Sequence, residues 1–299
     1  MLRLKFTFLL AFILTISQAV SIAEADTSIL KEGPQFDYNK ETDLYYTSPN
    51  TTYSTICGEV LNSTGGVITY RANQALVQHE RCVWIVRGGN PSGYNIDVRL
   101  MGFSSGGGYS NQLIATCFRL GSTPTHRSLS LTSYNLSPCD ILMITFHTGA
   151  NVAGYQGFLL EYNTQTIGGG NGVSRDSTDM IFQEDFTVLH HPLAAAQYSN
   201  NEISTFVLVP ANNIYSSTKR TNIAFFLDSI ENCCDILTLW VFNGNSASSA
   251  KWERREVLSG NQTVVNNSDL AMLVFTTDSS GLGRGFQLVL AKGGTDCTV

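Results

Sequence analysis

Four groups of residues in this 299-residue chain have types and spacings that could do chemistry. Gly102-Phe103-Ser104-Ser105-Gly106 fits G-x-S-x-G, the pattern of a serine nucleophile held on a strand-to-helix turn. Gly107 and Gly108 follow with no helical period, so a Gly-rich loop is the expectation, and a serine hydrolase built on Ser104 is a remote alternative. His190-His191 could offer two metal ligands, but no third ligand follows at a recognisable spacing, so a surface pair at a strand end is expected. The seven cysteines, Cys57, Cys82, Cys117, Cys139, Cys233, Cys234 and Cys297, contain no C-x-x-C and so no zinc pattern. The fourth group is an acid in a repeated pattern. ITFHTGANVAGYQGFLLEY (Ile144 to Tyr162) and VFTTDSSGLGRGFQLVLA (Val274 to Ala291) each join two apolar strands through a polar loop and Gly-Phe. The later copy carries Asp278 where the earlier carries Gly149.

The elements that must position these residues read as strands. Short apolar or alternating runs such as CVWIV, LMITF, ILTLWVF and AMLVF are split by Gly, Asn, Ser and Pro, with almost no helical period. This predicts an all-β protein of antiparallel β-sandwich or jelly-roll type. The repeat extends backward, because Cys82 to Phe103 parallels Thr205 to Ile230. Two similar domains are therefore expected at 57–165 and 176–299, joined by a flexible Gly-rich linker at 166–175 that contains IGGGNG. Residues 26–56 read as a leader or as an arm laid on the first domain. Trp84, Trp240, Phe225, Phe226, Phe275 and Phe286 lie in apolar strands and are expected to belong to cores. Trp252, among Lys251, Glu253, Arg254 and Arg255, is either packed or an exposed contact anchor.

Composition bounds the function. Arg3 and Lys5 precede the apolar run Phe6 to Ile16, and Ala23-Glu24-Ala25 follows, the pattern of a secretory signal at 1–25. Cleavage after Ala19 is the second choice. The run is too short to span a bilayer, so a secreted chain is expected. Sequons at Asn50, Asn62, Asn135, Asn261 and Asn266 agree with secretion. A net charge of −6 without a Lys/Arg cluster leaves no electrostatic footprint for nucleic acid or a membrane surface. In an oxidising compartment most cysteines pair. Seven is odd, so one is free or bonds a second chain as a disulfide-linked homodimer. Adjacent Cys233 and Cys234 are not expected to bond each other, since ordinary disulfides hold Cα atoms farther apart.

Cys57-Gly58, Gly66-Val67-Ile68, Cys82-Val83-Trp84-Ile85 and Val98 to Phe103 resemble the opening half of the CUB domain, an extracellular β-sandwich module. Cys234-Asp235-Ile236-Leu237, Gly244, Phe275-Thr276-Thr277-Asp278-Ser279-Ser280 and Gly285-Phe286 resemble its closing half. The resemblance supports a Cys57–Cys82 disulfide best and leaves Cys117 and Cys139 for each other. In the second copy one of Cys233 and Cys234, with Cys234 the one chosen, is expected to pair with Cys297, and the other to stay free or bond a second chain. Many family members hold Ca²⁺ at one end of the sandwich, and the matching set here is Asp228, Asp235 and Asp278, with a carbonyl near Ser280. Glu231 is the less favoured replacement for Asp228, because its spacing to Asp235 is short. The first copy departs from the pattern, with Gln112 and Gly149 at two of the positions, so calcium is expected in the second copy only.

These readings imply a secreted, non-enzymatic binding module for an extracellular protein or glycan. The alternative is a matrix protein self-associating through its unpaired cysteine.

Overall fold

The computed structural model describes residues 52–88, 92–105, 111–165, 179–184, 186–192, 197–209, 221–231, 233–243, 251–260, 262–266 and 270–292. Every regular element among them is a strand. The alternation and turn punctuation of the sequence therefore translate into an all-β protein, and among the described residues no helix is long and apolar enough to cross a membrane.

The first half contains β1 (Thr52–Ser54), β2 (Val60–Leu61), β3 (Gly65–Ala75), β4 (Arg81–Val86), β5 (Gly93–Met101), β6 (Gln112–Phe118), β7 (Thr125–Ser128), β8 (Ser133–Leu136), β9 (Ile141–His147) and β10 (Gln156–Gln165). They form two five-stranded sheets, ordered β1-β3-β10-β5-β8 and β2-β4-β9-β6-β7. The second half contains β11 (Met180–Phe182), β12 (Phe186–His191), β13 (Ile203–Leu208), β14 (Thr221–Ser229), β15 (Ile236–Asn243), β16 (Lys251–Leu258), β17 (Gln262–Asn266), β18 (Ala271–Thr276) and β19 (Gly285–Lys292). Their sheets run β12-β19-β14-β17 and β11-β13-β18-β15-β16. The two orders superimpose, down to a short parallel strand at the edge of each seam-facing sheet, β2 on β4 and β11 on β13. Among the described residues only β1 lacks a counterpart. It pairs parallel with β3, and Trp84 Nε1 donates to the Ile56 carbonyl at 2.8 Å, so the end of the leader is an arm laid on the first sandwich.

Each sandwich fills its own core. Trp84, Tyr94, Phe146, Phe158 and Tyr162 fill the first; Tyr198, Phe206, Phe275 and Phe286 fill the second. A third cluster belongs to both. Val83, Ile85, Ile114, Phe118, Ile141 and Met143 on the outer face of one sheet pack with Val207, Trp240, Phe242, Trp252, Met272 and Val274 on the other. This explains why β4, β9, β6 and β13 are buried at every position and β18 at all but its last: alternate side chains enter the sandwich core and the seam. Trp252 is 1% exposed, and its Nε1 donates to Thr145 Oγ1 across the seam at 3.1 Å, which rules out the exposed-anchor alternative. Polar contacts flank the apolar ones. Arg87 reaches Asp179 at 3.5 Å, and Gln183 Nε2 donates to the Cys57 carbonyl at 3.1 Å. The two halves are thus more than domains on a tether; residues 49–299 are one compact unit. The expected linker at 166–175 lies outside the described residues.

Candidate metal centre

The second sandwich gathers its acids at one end because of how its strands stop. β14 ends at Ser229 and β15 begins at Ile236, so Glu231 and Asp235 lie in the connection between the sheets. Asp278 follows β18 and enters the loop before β19. Carboxylate oxygens of Glu231, Asp235 and Asp278 lie within 4.8 Å of one another. Glu231, the less favoured replacement for Asp228 in the sequence, is the acid described here beside Asp235 and Asp278. Asp228 falls inside β14 at a register shift between Leu227 and Ser229, and its side chain is outside what is described.

A buried scaffold holds the three acids. Tyr198 OH donates to Asp235 Oδ2 at 2.5 Å and accepts the Glu231 amide at 3.0 Å, so one phenol sets two of the acids. Burial first, and then the Asp235 bond, pushes the Tyr198 phenol up to about 12, so it remains a donor. Asp235 Oδ1 accepts the Asp278 amide at 3.0 Å. Ser280 donates its amide to Asp278 Oδ1 at 2.7 Å and so acts here as a brace. Glu231 Oε2 is buried without a hydrogen-bond partner, as is Asn200 Oδ1. Gly281 sits against the Glu231 carboxylate so closely that a Cβ there would overlap Oε2. Among the described residues no Lys or Arg pairs with any of the three acids. Unit charges about 5 Å apart at the surface repel by roughly 3 kcal/mol per pair at an effective dielectric of 20, less where water screens them. A cation between them would remove that repulsion. An all-oxygen donor set fits a hard ion such as Ca²⁺.

Beside the cluster lies a second buried carboxylate that sequence reasoning missed. Glu202, 1% exposed, accepts from His191 Nε2 at 2.6 Å, Ser204 Oγ at 2.7 Å and the Ser199 amide at 3.0 Å. Burial pushes its carboxyl up, but the His191 bond and charge and the Ser199 and Ser204 bonds outweigh that, so it lies below the ordinary range. Its own amide donates to Thr277 Oγ1 at 2.8 Å, and Thr277 donates to the Ser199 carbonyl, which locks the start of the Asp278 loop. His190 and His191 therefore diverge: His190 is exposed, and His191 is a core partner of Glu202.

The first sandwich repeats this scaffold without the charge. Glu80 accepts from Arg71 Nε at 2.7 Å, and its amide donates to Thr148 Oγ1 at 2.8 Å, which in turn donates to the Val77 carbonyl. Asn111 Oδ1 accepts the Gly149 amide at 3.1 Å, matching the Asp235–Asp278 tie. Strand register agrees, since Gln112 opposes His147 as Ile236 opposes Thr276. The residue facing Asp235 is thus Asn111, one position before the Gln112 read from the sequence. Leu76 lies four residues before Glu80 as Tyr198 lies four before Glu202, and Gly102 beside Gly157 answers to Ser229 beside Gly285, which puts Ser104 where Glu231 is. The first copy keeps the loop tie with a neutral amide and has lost every acid of the cluster. Ser104 lies in the loop after β5, Ser105 Oγ accepts the Leu113 amide at 3.1 Å, and no helix follows among the described residues.

Cys57–Cys82 and Cys117–Cys139 are disulfides. The pairing of Cys234 with Cys297 is corrected, because Cys233 bonds Cys234, its neighbour, with Cα atoms 3.8 Å apart. That spacing is simply the distance across one trans peptide; the two residues sit in a turn that brings their sulfurs together, outside the range of ordinary disulfides used as a bar. Cys297 lies outside the described residues. Asn62 and Asn135 are exposed; Asn50 and Asn261 lie outside the described residues, and Asn266 is in β17 with its side chain undescribed.

No family model and no curated protein matches this chain. Among solved structures it is similar to the CUB1-EGF-CUB2 domain of human MASP-1/3 at 12% identity and a TM-score of 0.30, over 77% of this chain and 100% of that one. The CUB1-EGF-CUB2 domains of rat MASP-1 give 11% and 0.29, over 78% and 99%. The full extracellular region of zebrafish Gpr126/Adgrg6 gives 13% and 0.31, over 78% of this chain and 37% of that one. At these values the similarity carries no argument about activity, and the all-β class rests on the strands themselves.

Proposed function

We propose that this chain is a secreted, non-enzymatic CUB-like binding protein. Its second sandwich holds Ca²⁺ through Glu231, Asp235 and Asp278 and presents that end to an extracellular protein. The observation carrying the reading is three carboxylates within 4.8 Å, one with a buried, unpartnered oxygen. Bound calcium would neutralise the cluster and tie the connection bearing Glu231 and Asp235 to the Asp278 loop. Tyr198, the Thr277 lock and Ser280 hold the three carboxylates facing one another, so little ordering is left for the binding step. A partner's basic side chain would be received by carboxylate oxygens at the exposed rim. The basic–apolar–AEA start, the sequons and the buried disulfides support secretion.

The test is to melt the chain from Asp26 onward in millimolar calcium and in chelator. Binding to the folded state at a hundredfold excess over Kd adds about 2.7 kcal/mol, or roughly 5–10 °C for a unit of this size. Glu231→Gln and Asp278→Asn are expected to abolish the rise. No rise, or a rise that survives both substitutions, refutes the site. Capture of partners with and without chelator then tests the binding role.

One observation favours the matrix reading as a second possibility: with Cys233 and Cys234 paired, Cys297 is the seventh cysteine. A reducible dimer that Cys297→Ser removes would support it, and a monomer on non-reducing gels would exclude it.

A further inference from the structure

The Cys233–Cys234 disulfide stands inside the candidate metal centre. Glu231 lies two residues before it and Asp235 directly after, so the bond closes the short stretch that joins two of the three acids. Both its cysteines are exposed, whereas Cys57, Cys82, Cys117 and Cys139 are buried. A reductant therefore reaches this disulfide first. Cys233 Sγ lies 3.3 Å from Glu231 Oε1. While the sulfur is in the disulfide it has no proton to donate, and the Glu231 carboxylate is left for a cation. Once reduced, the same sulfur carries an S–H within hydrogen-bond reach of that oxygen.

We infer that Cys233–Cys234 is a reversible thiol–disulfide modification site that controls cation binding at Glu231, Asp235 and Asp278, the disulfide form binding and the dithiol form releasing. The inference rests on the cation reading above. The step balances with a dithiol reductant. One of its thiolates attacks an exposed sulfur, forming a mixed disulfide, and the departing protein thiolate takes a proton. The reductant's second thiol then displaces the remaining protein sulfur. The reductant ends as a disulfide, having given two electrons and two protons to Cys233 and Cys234. Reduction opens the ring between Glu231 and Asp235, restores freedom to that stretch, and provides Glu231 with a competing donor. All three changes oppose gathering the carboxylates on an ion. Because coupling is reciprocal, an ion that prefers the disulfide form must protect that form from reduction by the same factor.

The experiment uses the chain from Asp26 with Cys297→Ser, which removes exchange with the seventh cysteine. The protein is equilibrated in graded dithiothreitol buffers with calcium or chelator, alkylated, and mapped. Cys233–Cys234 is expected to open while Cys57–Cys82 and Cys117–Cys139 stay closed, and saturating calcium is expected to move its midpoint at least 5-fold toward stronger reducing conditions, the lower end of ordinary couplings. The double variant Cys233→Ser/Cys234→Ser, which places hydroxyls beside Glu231, is expected to lose at least 5-fold in calcium affinity without treatment by reductant. If the oxidised protein binds calcium but neither the midpoint nor the double variant's affinity moves, the inference is overturned and the cation site stands. If the oxidised protein binds no calcium, both fall.

Discussion

Replacing Trp252 by alanine removes one of the two tryptophans of the seam between the sandwiches. The indole is 1% exposed, packs edge-on against Phe242 with ring centroids 5.6 Å apart, and donates to Thr145 Oγ1 at 3.1 Å. A buried Trp→Ala change costs about 3–5 kcal/mol through lost transfer energy and the cavity left behind. Thr145 is also fully buried, and a hydroxyl stranded there adds roughly 1–3 kcal/mol. The terms are not strictly additive, so about 4–6 kcal/mol is expected. For a unit of this size that is a fall in Tm of roughly 10–20 °C. Urea unfolding followed by far-ultraviolet circular dichroism gives the free energy. A double-mutant cycle of Trp252→Phe with Thr145→Val isolates the bond across the seam, with an expected coupling of about 0.5–1.5 kcal/mol. An alanine variant within about 0.5 kcal/mol of the parent, the behaviour of an exposed position, or a coupling of zero refutes the seam.

Residues 57–165 and 176–299 expressed separately each expose their half of the seam, so each is expected to aggregate or self-associate; two well-behaved monomers in sedimentation would contradict the shared core. Gly281→Ala is expected to abolish calcium-dependent stabilisation without altering a ligand, because the new Cβ meets Glu231 Oε2 and the site has a left-handed φ of 71°; an unchanged calcium response in the melt would show that Glu231 is not held there. His126 accepts or donates at Thr116 Oγ1 near the seam, and burial first, then the Lys251 charge, lowers its pKa to about 4. Its folded value lies below the ordinary ~6.5, so its contribution to stability is present above about pH 6.5 and is lost as the pH falls through about 4. Melts across that range should lose part of their slope in His126→Gln, and a His126 resonance titrating near 6.5 would refute the buried state. Glu202 has a lowered pKa, so its contribution is present above the ordinary carboxylate value and fades as the pH falls through the folded one; Glu202→Gln should flatten the acid limb, and an unaltered limb would count against the His191–Glu202 pair.

Local properties of the chain were legible in the sequence. Alternation and turn residues specify strands whatever surrounds them, because side chains leave a strand on opposite faces with a period of two. Trp84, Phe275 and Phe286 sit in the expected sandwich cores, Trp240 packs in the seam instead, and Cys57 bonds Cys82. Asp235 and Asp278 were singled out by the resemblance to the CUB domain, and Asp278 also by its place in the repeated pattern; their carboxylates lie close together. What tertiary structure decided lies between strands. Glu231 lies with Asp235 and Asp278 through the connection between β14 and β15, and a linear count of residues does not measure distance across such a connection. Asn111 was misread as Gln112 because a one-residue shift between copies is invisible until strand register fixes it. Glu80 and Glu202 each meet a basic partner from another strand, Arg71 and His191, which no local pattern announces. The apolar runs of β4, β9 and β18 are buried on both faces. Their partner could be known only when the second sheet lay against them, since apolar burial is non-directional and carries no address.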